Sequence, residues 1–201
     1  MLGVRNGIGV GASLLPTPTV PRVHGQEVHA AGGWIVPQLW HAGLERKGED
    51  VPDPAVAAVG PADLTKPQIA EIVDAFARSA ADARRLGFDG LAPHGGHGYL
   101  IDQFLRAATN PRTDAYGGDP ARRTRFAAEV VAACRAAVGP GFPIFLRISH
   151  STVTDFDARL APPPPRNCSS FWSRWYTPAS TSWTAPPGGS GCPASPTPVQ
   201  A

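Results

Sequence analysis

The chain has 201 residues, enough for one domain with a real core but short of the roughly 250 that a full eight-unit α/β barrel needs. Its net charge of +2 gives no reason to expect nucleic acid or a membrane surface as a partner. No run of about 18 apolar residues is present to span a bilayer, and the start lacks the basic-then-apolar pattern of a secretory signal, so a cytoplasmic protein is expected. The three cysteines, Cys134, Cys168 and Cys192, are far apart and odd in number, which suggests neither a disulfide framework nor a zinc knuckle.

Residues 1–27 show no helical period and read as an irregular segment. Trp34-Ile35-Val36-Pro37-Gln38-Leu39-Trp40 is a short apolar run that reads as a buried parallel strand, weakened by Pro37, which has no N–H for a ladder. A helix opens at Thr65-Lys66-Pro67-Gln68, with Thr65 as its cap and Gln68 three residues on. Ile69, Ile72, Val73, Phe76, Ala80 and Ala83 give it an apolar face, and Leu86-Gly87 ends it. Phe88 to Pro93 reads as a strand that delivers His94, His97 and Tyr99 into a glycine-rich loop. Ala121 to Val138 reads as a second helix, with Phe126, Val130, Val131 and Cys134 on its apolar face. Pro143 to Ser149 reads as another strand. Strands alternating with helices imply a parallel sheet of the α/β class. Residues 161–201 are rich in Pro and Ser, have no period, and read as a disordered tail.

Two imidazoles and a phenol within six residues can serve carbonyl chemistry. Neutral imidazoles donate hydrogen bonds to an oxygen on which negative charge develops. A phenol with a pKa near 10 is still protonated at neutral pH and can give up that proton. The same spacing leaves blander readings open. His94 and His97 could satisfy loop carbonyls, or bind a metal, although no third ligand stands out.

The segment His94 to Phe104, followed by Asn110 to Gly118 and Arg125-Phe126, closely resembles the Old Yellow Enzyme family of FMN-dependent NADH:flavin oxidoreductases and ene-reductases. Gln38 to Gly43 and Phe145 to Ser149 match two further family motifs in the expected order. The resemblance implies a (β/α)8 TIM-barrel type fold, here incomplete, with residues 28–160 as a partial FMN-binding domain. It implies FMN as cofactor, NAD(P)H as hydride donor and a small-molecule substrate with an activated double bond. His94 and His97 would hold the substrate's carbonyl oxygen, and Tyr99 would protonate the α-carbon. Gln38 would bond the flavin pyrimidine and Arg147 would sit beside flavin N1 and O2. Gln38 as a water-facing amide and Arg147 as a carboxylate's partner remain alternatives. The segment Asn110 to Gly118 is expected to be structural.

Four departures from the family pattern bear on activity. Val20 to Gly25 and Val28 to Gly33 are joined by two residues, too few for a parallel crossover. Pro93 removes a backbone donor just before His94. His150-Ser151-Thr152 replaces a family segment. The tail from Arg166 onward, read one nucleotide earlier in permitted codons, becomes an amphipathic helix and a strand, which is the expectation of a shifted frame. The alternative reading is therefore a truncated, non-catalytic barrel fragment that binds no flavin by itself.

Overall fold

A computed structural model describes residues 22–46, 57–152, 154, 155 and 157, with side chains from residue 26 onward. The expected tail, residues 161–201, and its frame lie outside the described residues, as does the segment before residue 22. Three parallel strands form one sheet in the order β1 (Gln38–Leu39), β2 (Ala92–His97), β3 (Arg147–Thr152). Helix α2 (Lys66–Arg85) connects β1 to β2. Helices α3 (Leu100–Leu105), α4 (Pro120–Arg123) and α5 (Arg125–Val138) connect β2 to β3. Helix α1 (Arg22–Ala30) precedes the sheet.

Helix α2 forms as its sequence dictates. The Thr65 side chain accepts from the Gln68 N–H, and the Gln68 side chain accepts from the Thr65 N–H at 2.9 Å, so two otherwise orphaned donors are satisfied. Its apolar stripe of Ile69, Ile72, Phe76, Ala80 and Ala83 is buried. The stripe packs on α5, whose Phe126, Ala127, Val130, Cys134 and Val138 are buried in turn. Arg84 reaches from α2 to the Val138 carbonyl at 2.6 Å and ties the two helix ends together. Leu39, Leu91 and Ile144 fill the space between helices and sheet. Cys134 is a buried thiol whose pKa burial pushes up to about 12, so it acts as a small core residue.

The expected elements shift at several points. Within Trp34–Trp40 only Gln38–Leu39 joins the ladder, because Pro37 contributes a carbonyl and no donor: Ala92 N–H donates to Pro37 O at 2.9 Å. The segment 22–27, read as irregular, is helical as part of α1. His29 of α1 and the Ile35 N–H both meet Asp89 Oδ2, at 2.9 and 2.7 Å, which docks α1 beside the turn before β2. Strand β2 runs through the histidines instead of stopping before them. Gly95 and Gly96 lie flush against β3, and a Cβ on Gly96 would stand 2.9 Å from the Ser149 nitrogen. Strand β3 begins later than expected, after an isolated bridge between Leu91 and Ile144. The second expected helix is divided at Thr124, and Asp119 caps its first part by accepting from the Ala121 and Arg122 N–H groups.

Candidate functional site

Side chains alternate across a strand, and the register decides which of them share a face. Gln38 pairs with Ala92, and His94 pairs with Arg147. Gln38, Ala92, His94 and Arg147 therefore project from one side of the sheet. Leu39, Pro93 and Gly95 face the other side, where a Cβ on Gly95 would meet Ile101 of α3. The helices cover that second face. The first face carries the polar groups at the carboxyl ends of the strands, where α/β sheets present their chemistry.

His94 and His97 approach with ring centroids 5.0 Å apart, and the Tyr99 ring lies 5.2 Å from His94. All three expected catalytic residues thus converge. Pro93 does not prevent this, since it occupies a sheet position opposite Leu39. Trp40, which the sequence reading passed over, packs on Tyr99 at 5.1 Å between centroids. Its place directly after Gln38-Leu39 was the available signal.

Burial lowers the pKa of His94 to about 4, with further lowering by His97 and Arg147. The pKa of His97 is lowered by burial, then by Arg147 and Arg106. Both imidazoles are neutral at pH 7 and offer N–H donors rather than charge. The Gln38 amide nitrogen lies 3.1 Å from His94 Nδ1. An amide N–H only donates, so Nδ1 accepts and the His94 proton sits on Nε2.

The donor set suits a flavin. The Gln38 amide keeps its carbonyl oxygen and a second N–H for the pyrimidine edge. Arg147 is exposed on the same face, where a guanidinium would suit a ring that becomes negative on reduction. Among the described residues no group of three or more His, Cys, Asp or Glu could hold a metal ion. No helix among them is long and apolar enough to cross a membrane.

The expected structural segment is built around Asn110. Its side-chain N–H groups donate to the Phe104 and Tyr116 carbonyls at 2.7 and 2.8 Å, and its oxygen accepts from the Arg112 N–H. Arg112 in turn pairs with Asp114 and donates to the Pro61 and Leu64 carbonyls.

The sequence matches the NADH:flavin oxidoreductase / NADH oxidase family over residues 22–162. It is 45% identical over 131 residues to a metal reductase of Desulforamulus reducens, covering 61% of this chain and 20% of that protein. It is 41% identical over 128 residues to a putative 12-oxophytodienoate reductase-like protein of Arabidopsis thaliana, covering 56% of this chain and 40% of that one. Morphinone reductase, solved in complex with tetrahydroNAD, superposes with a TM-score of 0.59 at 31% identity, covering 64% of this chain and 42% of that structure. The chain thus spans less than half the length of each of these relatives. It belongs to the NADH:flavin oxidoreductase / NADH oxidase family, that of the Old Yellow Enzymes, whose cofactor is FMN with NAD(P)H as hydride donor.

Proposed function

We propose that this chain forms the flavin-facing part of a (β/α)8 barrel that reduces activated alkenes. The observation that carries the reading is the convergence of His94, His97 and Tyr99 on the sheet face that also bears Gln38 and Arg147. Bound FMN would supply the transfer of hydride from NAD(P)H to the β-carbon of an enone or similar acceptor. The chain's own residues do the rest. His94, held as the Nε2–H tautomer by Gln38, and neutral His97 donate hydrogen bonds to the substrate's carbonyl oxygen. Negative charge developing there is stabilised by these neutral N–H donors. Tyr99, half-buried between Trp40 and His94, gives its proton to the α-carbon. Arg147 and the Gln38 carbonyl hold the pyrimidine side of the flavin.

The visible absorption spectrum of the purified chain, before and after adding FMN, tests the reading. A flavin band that stays with the protein through gel filtration, and is weakened by Arg147→Ala, is the expected result. A colourless protein that FMN does not change would overturn it and leave the non-catalytic fragment as the account.

A further inference from the structure

His97 is the one non-glycine among the described residues with a positive φ, at 61°. Such a conformation is strained for a residue with a Cβ and persists only where its surroundings impose it. Here the surroundings are specific. The His97 N–H donates to Ser149 Oγ at 2.6 Å. The Gly98 N–H donates to Asp102 Oδ2 at 2.7 Å, and the Gly98 carbonyl accepts from Gln103 Nε2 at 2.6 Å. Asp102 Oδ2 also accepts from Arg106 Nε at 2.8 Å. Arg106 Nη2 then reaches the carbonyls of Ser149, His150 and Ser151 at 3.2, 2.9 and 3.3 Å. Asp102, Gln103 and Arg106 are all buried, at 0, 2 and 4% exposure. A buried ion pair is weak evidence for stability, because its desolvation offsets its attraction. This one is directed at two backbone segments, the turn at Gly98 through Asp102 and the end of β3 through Arg106.

We infer that Asp102, Gln103 and Arg106, with Ser149, are positioning residues: a buried polar clamp that holds His97-Gly98 in its left-handed turn and so brings His97, His94 and Tyr99 together. Arg106 links the clamp to the Ser149, His150 and Ser151 carbonyls, two to four residues beyond Arg147, so the strands that carry His94 and Arg147 keep a common register. None of the clamp side chains needs to touch substrate. The clamp rests on the active-site reading for its purpose, yet its geometry is measurable without flavin.

The test uses NMR on the full chain without added cofactor. Amide exchange at Gly98 and ring-to-ring contacts of His97 with His94 are read in the parent and in Asp102→Asn, Gln103→Met and Ser149→Ala. Asp102→Asn, which replaces the charged acceptor of the Gly98 N–H by a neutral one, is expected to exchange that amide on the order of tenfold faster, and Gln103→Met, which removes the donor to the Gly98 carbonyl, is expected to weaken the ring contacts. Ser149→Ala, at a half-buried site, is expected to speed exchange at His97 by a similar factor with the fold intact. It keeps the question answerable if a substitution at Asp102 melts the chain. Variants that lower the melting temperature but leave these amides and ring contacts as in the parent would overturn the inference and make the network ordinary core. A clamp that behaves as expected in a chain that retains no FMN would sustain the inference and refute the flavin reading.

Discussion

Tyr99 and His94 differ in what their surroundings ask of them. His94 is buried, neutral and bonded through Nδ1, so it can only offer its Nε2 proton. Tyr99 is half-buried, with Trp40 against its ring. If Tyr99 is the proton donor, Tyr99→Phe keeps the ring packing and removes only the hydroxyl. The expected outcome is a fall of about 100- to 10,000-fold in the rate of alkene reduction, the usual range for general-acid catalysis. The rate at which NAD(P)H bleaches the bound flavin should not change. Stopped-flow absorbance separates the two half-reactions, and equal losses in both would assign Tyr99 to cofactor binding instead.

At the scale of elements, α2 and α5 supply the wall on which the sheet rests. Phe126 is fully buried against Phe104, with ring centroids 4.4 Å apart, and Phe76 is buried on the facing helix. Phe126→Ala should destabilise the chain by about 3–5 kcal/mol, the cost of a lost aromatic side chain and the cavity it leaves. Thr65→Ala removes half of a capping box at an exposed helix start and should cost about 1 kcal/mol. Urea denaturation followed by circular dichroism reads both. A Phe126 variant no weaker than the Thr65 variant would mean that the helix pair is not the core. Helix α3 shows the opposite limit of pattern reading. Leu100–Leu105 is buried on every side, so it has no amphipathic period to betray it. The Asp102 and Arg106 pair at i and i+4 was its one helical signature.

For the molecule as a whole, acid should be destabilising in a defined window. His94 and His41 are buried, and burial lowers the pKa of each from 6.5 to about 4. Below pH 6.5 the unfolded chain takes up protons that the folded chain refuses, so stability falls as pH drops from 6.5 towards 4. Asp114 adds a second window. Its hydrogen bonds from Arg112 hold its carboxyl at about 2, and that contribution is lost as pH falls below the usual carboxylate value. Melting temperatures taken at steps from pH 7 to pH 2 should decline in both stages, and His41→Gln should reduce the first. A flat profile between 6.5 and 4 would show that these imidazoles are not buried in solution. On the first sheet face Arg147 is exposed and Phe145 is 39% exposed, whereas His94 is buried.

The sequence by itself determined the alternation of strand and helix, because binary patterning, the Thr65 cap and the apolar stripes of α2 and α5 are local properties. It also determined the identity of the candidate site, since the residues from Gln38, His94, His97, Tyr99 and Arg147 carry family motifs in order. It did not determine which strand positions pair. The register between β2 and β3 depends on Gly96 lying flush against Ser149 and Gly95 against the Arg147 carbonyl, contacts between residues more than fifty positions apart. Nor did it reveal the left-handed turn at His97, because histidine tolerates positive φ better than most residues but does not require it. Only the tertiary structure decided that turn, by closing buried donors and acceptors from α3 and β3 around it, and with it the approach of the two imidazoles and the phenol.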